Sequence, residues 1–267
     1  MALATILRDA ARAEALPRFR RLDASMVQVK TEAIDLVTEA DVATEEAIKA
    51  RLATAMPNAL FVGEESVAAD PALLLRLADA DLAVVVDPID GTANYAAGLP
   101  LFATMAAVVS RGETIAGIIY DPMGDDWVMA EKGGGAWLRR PSGEAVRLKV
   151  AAPLPLPQMV GMASVAYMPA DKRPQVLQNT DKLRLLSNFR CAGHEYRTFA
   201  SGHGQFVCYN KLMPWDHLAG VLISQEAGGF AARLDGSPYL PRHIDGGLLV
   251  AVDKSSWDEL RREVFVF

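Results

Sequence analysis

The stretch that decides the fold is Leu82–Thr92, which reads LAVVVDPIDGT. Its first half, Leu82–Val86, is a continuous apolar run, and such a run predicts a strand that is covered on both faces. The proline and glycine that follow predict that the strand stops and that residues 87–92 form a loop. Because open α/β sheets place ligands at the ends of their strands, Asp87 and Asp90 are candidate site residues.

The elements around this strand predict layers of helices and sheets. In the first half, helices are predicted over residues 2–16, from Thr38 to about Ala55 and over Leu73–Ala78, a short strand at Leu60–Val62, and a strand meander from Phe102 to Val150. After the proline-rich linker Pro153–Pro157, strands are predicted at Met159–Val165, Leu183–Ser187, Phe206–Tyr209, Phe230–Leu234 and Leu248–Val252, and helices at Lys172–Asn179, Glu195–Ser201, Pro214–Ala227 and Ser255–Val264. We therefore expect an α/β protein in two halves, 1–150 and 151–267, that form one catalytic unit.

Composition and charge exclude several classes of function. The chain has 267 residues, with 27 Lys and Arg against 33 Asp and Glu, so its net charge is −6. An acidic protein without a basic stripe has no general attraction for nucleic acid or for an anionic membrane. No apolar run approaches the roughly 20 residues that a transmembrane helix needs. No signal-peptide pattern is found at the N-terminus, so a cytoplasmic location is expected.

The acidic residues after the central strand indicate a hard divalent cation. Asp87 and Asp90 lie three residues apart, and the carbonyl of Ile89 between them can supply a third oxygen. Oxygen ligands of this kind suit Mg²⁺ or Mn²⁺ better than zinc or copper. A plain Asp-Pro and Asp-Gly turn explains the isolated motif equally well.

Three further acidic segments strengthen the metal interpretation. They are Gly63-Glu64-Glu65 after a short strand, Pro214-Trp215-Asp216 at a helix start, and Asp35–Asp41, in which Thr38 is a predicted N-cap with Asp41 three residues later. If their carboxylates meet, each close pair costs about 4 kcal/mol at an effective dielectric of 20. Two or three divalent cations would offset this repulsion and would attract phosphate to an acidic protein.

Together these segments resemble the inositol monophosphatase family of metal-dependent phosphomonoesterases. The likeness covers nearly the whole chain and rests on Asp35–Asp41 (DLVTEAD), Gly63–Ser66 (GEES), Asp87–Thr92 (DPIDGT), and Trp215-Asp216 with Glu226–Gly229 (EAGG). The resemblance implies a layered αβαβα sandwich of the inositol monophosphatase and fructose-bisphosphatase type, which is usually a homodimer. It also implies Mg²⁺ dependence, with two or three ions per site and Mn²⁺ as a possible substitute, and often sensitivity to Li⁺.

The resemblance also implies roles for individual residues. One metal would be held by Glu64, Asp87 and the backbone oxygen of Ile89, a second by Asp87, Asp90 and Asp216, and a third near Glu64. Thr92, hydrogen-bonded to Asp41, would join Glu64 in activating the water for in-line attack. The substrate would contact Asp90, Gly91, Thr92, Gly193, His194, Glu195 and Asp216, and Lys30 would approach the metals from a loop.

The sequence departs from inositol-specific members at the residues that would face the alcohol of the substrate. The helix that would face the alcohol begins Gly193-His194-Glu195-Tyr196 instead of with small residues, and Tyr209 stands where those enzymes carry an acid. The expected function is hydrolysis of a small phosphorylated metabolite of the inositol 1-phosphate type. Histidinol phosphate, fructose 1,6-bisphosphate and adenosine 3′,5′-bisphosphate remain open as substrates. A catalytically idle, metal-binding regulatory protein on the same fold is the alternative from another class.

Overall fold

The first half of the protein contains a long strand meander between short helical segments. The computed structural model describes residues 2–23, 26–29 and 36–266. Its elements up to residue 150 are α1 (Ala2–Ala10), a π-helical turn (Ala11–Ala15), α2 (Leu16–Arg18), β1 (Val27–Val29), β2 (Leu36–Thr38), α3 (Glu39–Ala55), β3 (Leu60–Gly63), α4 (Glu64–Ala69), α5 (Ala72–Asp79), β4 (Ala83–Asp90), α6 (Thr92–Ala96), β5 (Ala103–Ser110), β6 (Glu113–Asp121), β7 (Asp126–Glu131), β8 (Ala136–Arg139) and β9 (Ala145–Arg147).

The second half alternates strands and helices as predicted. Its elements are a 3₁₀ turn (Leu156–Gln158), β10 (Val160–Ala163), α7 (Arg173–Asn179), a second 3₁₀ turn (Thr180–Lys182), β11 (Leu185–Ser187), α8 (Ala192–Ala200), β12 (Phe206–Tyr209), α9 (Pro214–Glu226), β13 (Phe230–Arg233), β14 (Leu248–Ala251) and α10 (Lys254–Glu263). The largest shift concerns α8, which begins at Ala192 rather than at Glu195. Its first amides bind the Asp90 side chain of a distant strand, and no local sequence signal reveals that contact.

Two main sheets are stacked with helices on and between them. The seven-stranded sheet has the order β3-β4-β5-β6-β7-β8-β9, and the five-stranded sheet has the order β11-β10-β12-β14-β13. On β4, Val84 and Val86 pack among residues of α1 and α3, whereas Val85 packs on the opposite face among residues of α8 and α9. Helices α8 and α9 also contact the second sheet, whose far face packs against α7 and α10. The predicted αβαβα layering is therefore confirmed. No helix within the described ranges is both long and apolar enough to cross a membrane.

The prediction of a loop at residues 87–92 is wrong except at Gly91, because residues 87–90 belong to β4 and Thr92 opens α6. β4 continues to Asp90, and every residue of the strand is buried. Its pairing with β5 shifts register between Asp87, opposite Met105, and Asp90, opposite Ala103, so one extra residue bulges out of β4. The carbonyl of Pro88 inside the bulge accepts a hydrogen bond from the Thr104 hydroxyl at 2.9 Å. This hydrogen bond satisfies the Pro88 carbonyl in the irregular part of the strand, where the sequence predicts that the strand ends.

Helices α8 and α9 cross where a glycine leaves room for an aromatic ring. Gly220 of α9 lies under the fully buried ring of Tyr196 in α8, and a Cβ at residue 220 would overlap that ring. Residue 220 and the Tyr196 ring both lie in tightly packed helices, so neither can move to relieve the overlap without a loss of packing energy. The close crossing fixes how the two helices present their N-terminal turns to the central sheet.

We therefore expect Gly220→Ala to lower the free energy of unfolding by about 1–3 kcal/mol, the usual cost of overpacking a core. Urea denaturation followed by circular dichroism measures the change. Gly204→Ala is the matched control, because a Cβ there would meet Met162 only at 3.5 Å, an ordinary contact distance. Equal stability of the two variants would contradict this account of the helix crossing.

Candidate active site

The parallel pairing of β3 and β4 brings two acidic residues together. Gly63 at the end of β3 pairs with Val86 of β4, so the next residues, Glu64 and Asp87, follow neighbouring strand positions. Glu64 opens α4, whose first amides at Glu65 and Ser66 are bound by the buried Glu45 carboxylate at 2.8 and 2.7 Å. No local sequence signal predicts this Glu45 cap. It holds the turn from which the Glu64 side chain enters the site.

The start of α8 binds the second aspartate of the central strand. Asp90 accepts hydrogen bonds from the Gly193 amide at 2.5 Å, from the Ala192 amide at 3.1 Å and from the Cys191 thiol at 2.9 Å. Free N–H groups at a helix start favour a negative charge, so this contact stabilises the Asp90 carboxylate. Gly193 is needed there because a Cβ would lie 2.9 Å from Asp90 Oδ2 and from Ala103.

Helix α9 supplies the fourth acidic group. Asp216 lies in its first turn behind Pro214, and the helix packs against β4, β5 and β6 of the large sheet. This packing brings Asp216 so close to Asp87 that each carboxyl affects the titration of the other. The acidic segments that are distant along the chain thus meet at one place.

These four acids line one cavity. It has a volume of about 590 Å³, and Glu64, Asp87, Asp90 and Asp216 are all in its wall. Ile89, Gly91 and Thr92 of the same motif line it too. Further lining residues that the sequence analysis missed include Ser164, Tyr167, Asn188, Arg190, Asn210 and Lys211. They come from loops of the second half, and no motif in the sequence marks them.

A chain of hydrogen bonds orients Thr92 at the edge of the cavity. Thr38 is the N-cap of α3 and forms the predicted capping box with Asp41. Its amide and hydroxyl both bind Asp41 Oδ2, at 2.8 and 2.6 Å. The other oxygen, Oδ1, lies 3.0 Å from the Thr92 hydroxyl, which is also 3.0 Å from the Ile89 carbonyl. Asp41, a residue of the helix cap, therefore also holds the Thr92 hydroxyl in place at the cavity.

Burial and mutual repulsion raise the pKa values of the clustered acids. The pKa of Asp87 is well above its ordinary value, first because the carboxyl is buried and then because Glu64, Asp90 and Asp216 are negative. The pKa of Asp90 is raised to about 6, mainly by burial, although its three hydrogen bonds oppose the shift. Burial also raises the pKa of Asp41 to about 7. The cluster is therefore short of positive charge.

The donor set fits a hard divalent cation. Asp87 Oδ1 is buried and has no hydrogen-bond partner in the described part of the chain, so it lacks the compensation that a buried charge needs. Carboxylates are the ligands that Mg²⁺ and Ca²⁺ prefer. Among residues 2–23, 26–29 and 36–266, no three acidic, histidine or cysteine side chains already surround a single metal position. Asp90 instead binds the start of α8.

The structure separates the residues that were predicted to contact the substrate. Glu195 lines the cavity, but Gly193 and His194 are not in its wall. The His194 ring turns toward the large sheet, where Nε2 lies 3.1 Å from the Phe102 carbonyl. This placement differs from the expectation of a substrate contact and follows from the helical period, which points neighbouring side chains in different directions. Lys30 lies outside the described residues.

A family model decides the relationship. The model of the inositol monophosphatase family matches residues 2–265. The chain belongs to this family. The resemblance deduced from the motifs is confirmed, and so is, at the level of the family, the prediction of a phosphomonoester hydrolase.

Individual members of the inositol monophosphatase family are similar over most of the chain. An inositol-1-monophosphatase of Caulobacter vibrioides is 33% identical over 215 residues, 79% of this chain and 80% of the relative. A histidinol-phosphatase of Streptomyces coelicolor is 32% identical over 246 residues, 88% of this chain and 87% of the relative. Nus factor SuhB of Pasteurella multocida is 30% identical over 81% of this chain and 78% of its own length.

A solved structure shares the fold. The Thermotoga maritima IMPase superposes with a TM-score of 0.82 at 25% identity, covering 98% of this chain and 94% of the other. The layered architecture of this family member is therefore that of a known inositol monophosphatase structure.

We expect Asp87→Asn to stabilise the metal-free protein by about 1–3 kcal/mol at pH 8, because an amide can donate to the neighbouring carboxylates. The gain should vanish as the pH falls below about 4, since Asp87 is then protonated in both the folded and the unfolded state. Mg²⁺ should raise the melting temperature of the parent protein and leave that of the variant unchanged.

Thermal unfolding in EDTA and in MgCl₂ measures both effects. Asp245→Asn is the control, because the Asp245 side chain is 90% exposed. Removal of its charge should change neither the stability of the metal-free protein nor the effect of Mg²⁺ on the melting temperature. A parent protein that Mg²⁺ fails to stabilise would contradict the metal assignment.

Proposed function

We propose that this protein hydrolyses phosphate monoesters in a Mg²⁺-dependent reaction, by direct in-line attack of water and without a phosphoenzyme. The proposal assigns the metals to Glu64, Asp87, Asp90 and Asp216, together with the Ile89 carbonyl. The observation that carries it is the convergence of these four acids on one cavity with an unpartnered, buried Asp87 oxygen. Mg²⁺ would neutralise the cluster and the substrate phosphate and would lower the pKa of the attacking water.

The chain itself contributes an oriented proton acceptor. The Thr92 hydroxyl has one hydrogen, which it can donate to Asp41 Oδ1 or to the Ile89 carbonyl, both at 3.0 Å. Its lone pairs are then free to accept a hydrogen bond from a water in the cavity. Asp41, whose pKa of about 7 suits proton uptake near neutral pH, is held in place by Thr38. Glu64, which follows the end of the neighbouring strand β3, would complete the orientation of the water.

The neighbouring backbone favours a phosphate group. Gly91 has a φ of +87°, a left-handed conformation that glycine adopts readily, and it turns the chain from β4 into α6. A Cβ at this position would also approach Cys191 and the Leu101 carbonyl at 3.1 Å. We therefore assign the residues of this turn, Gly91 and Thr92, to phosphate binding.

An idle metal-binding protein is the alternative function from another class. Such a protein would bind Mg²⁺ in the same cavity but would have no use for the Thr38–Asp41–Thr92 chain. One similar protein, from Pasteurella multocida, is named a Nus factor rather than a phosphatase. Metal binding without release of phosphate from any ester would favour it.

Thr92→Ala should lower kcat by at least about 100-fold with a smaller change in KM, because the hydroxyl acts on the attacking water rather than on the bound ester. Thr92→Ser keeps the hydroxyl and should keep most of the activity. Phosphate release from a panel of phosphate esters, measured with MgCl₂ and with EDTA, tests the reaction and the variants together.

Activity of the parent protein in EDTA equal to that in MgCl₂ would contradict the metal-dependent reaction. Parent-like turnover by Thr92→Ala would contradict the role of the hydroxyl. Li⁺ inhibition and a homodimer remain predictions from the family, and the same assay and size-exclusion chromatography test them.

A further inference from the structure

Glu195 is a buried acid of the cavity that the proposed metal site does not use. Its side chain lies in the first turn of α8 and is in the cavity wall, yet the residue is only 2% exposed. One oxygen accepts the Phe189 amide hydrogen at 2.8 Å. Burial raises the pKa of Glu195 to about 7, the Phe189 amide and the Tyr209 hydroxyl oppose that shift, and the charged neighbour that acts on it is Asp90, which is another acid. Glu195 therefore faces the cavity without a counter-charge from the described residues.

Polar groups that could bind a ligand lie in the same wall. Tyr209 is 5% exposed, and its hydroxyl lies close enough to the Glu195 carboxyl to interact with it directly. Asn210 also lines this cavity, and its amide nitrogen has no hydrogen-bond partner within the described ranges. Polar atoms that are buried without partners cost free energy, so a wall of this kind is suited to a polar ligand.

The charge balance of the loaded site leaves Glu195 uncompensated. Two divalent cations would neutralise the four acids at the strand ends, and the phosphate of the substrate would bind to those cations. Neither the cations nor the phosphate would neutralise the fifth carboxylate, Glu195, which lies in the part of the cavity wall formed by α8. A buried carboxylate needs a cation or donors as partners. The remaining part of the substrate, its alcohol, is the group that can bring one.

We propose that Glu195, assisted by Tyr209, selects phosphate monoesters whose alcohol carries a cationic nitrogen, that is, amino-alcohol phosphates. The inference rests on the proposed hydrolytic function and adds the substrate class. Glu195 would accept a charge-assisted hydrogen bond from the nitrogen, and the Tyr209 hydroxyl would accept a second one. Neutral polyol phosphates would bind through their phosphate group and would form no charge-assisted contact with Glu195.

Two basic residues of the cavity favour a different class of substrate. Arg190 and Lys211 line it as well, and they would attract a second phosphate group. Arg190 is exposed, so salt and water screen its charge. The Lys211 ammonium lies 5.3 Å from the centre of the Tyr167 ring, a cation–π contact that already occupies it. Because the buried Glu195 charge is screened least, it should dominate the selection.

A matched pair of substrates measures the preference. For the parent protein with MgCl₂, kcat/KM for 3-aminopropyl phosphate should be at least tenfold higher than kcat/KM for 3-hydroxypropyl phosphate. In the same way, kcat/KM for L-histidinol phosphate should be at least tenfold higher than kcat/KM for inositol 1-phosphate. Glu195→Gln should bring the amine-to-hydroxyl ratio close to one. The glutamine keeps an oxygen for the Phe189 amide, so the loop contact is preserved and only the charge is lost.

Two further variants separate charge from structure. Tyr209→Phe should lower the amine-to-hydroxyl ratio of kcat/KM by about threefold or more. Glu144→Gln is the control for the same chemical change at the surface, where the side chain is 53% exposed, and its ratio should equal that of the parent.

Each outcome decides the inference. A parent ratio near one, an unchanged ratio in Glu195→Gln, or a preference for fructose 1,6-bisphosphate over all monoesters would overturn it. In those cases the esters are still hydrolysed, so the proposed function stands. Absence of hydrolysis of every ester would instead overturn the proposed function.

Discussion

The repulsion among four carboxylates in one cavity is the constraint on which the rest of the site depends. Glu64, Asp87, Asp90 and Asp216 share one cavity, and the pKa of Asp87 rises first because the group is buried and then because its neighbours are negative. At an effective dielectric of 20, each close pair costs about 4 kcal/mol, a large fraction of a typical domain's stability. In the proposed function, bound cations would remove this repulsion and would make the pocket attractive to phosphate in a protein with a net charge of −6.

The scaffold reduces this cost through helix starts. The first turns of α4, α8 and α9 carry or contact three of the acids, and the positive end of each helix favours a negative charge by about 0.3–1 kcal/mol. The Glu45 carboxylate caps α4, and the close crossing at Gly220 sets α8 against α9. These contacts position the ligands but cannot neutralise them. The packing between the two sheets therefore serves the site directly, because it holds the helix starts against the repulsion.

The sequence predicted what depends on local pattern and on motifs. Strand β4 follows from its apolar run, and the Thr38–Asp41 capping box follows from residue types at the right spacing. The bulge that carries β4 to Asp90 was missed, because Pro88 and Gly91 signal a turn and the compensating Thr104 bond comes from another strand. These are tertiary contacts, and no local pattern encodes them.

The substrate side of the cavity was less predictable than the metal side. His194 and Glu195 are neighbours in the sequence, yet one points at the Phe102 carbonyl and the other at the cavity, a difference set by the rotation of α8. Lys211 and Asn210 come from a loop without any motif. The metal side is fixed by the chemistry of its ligands, whereas the alcohol side is shaped by loops. Function at the level of the reaction is therefore easier to infer than the substrate.

Anomalous diffraction from crystals soaked in Mn²⁺, at a concentration that supports hydrolysis, would show whether divalent cations hold these acids together. We predict anomalous peaks about 2 Å from carboxylate oxygens of Asp87, one shared with Glu64 and one with Asp216. Crystals of active protein without any peak at Asp87 would contradict this prediction.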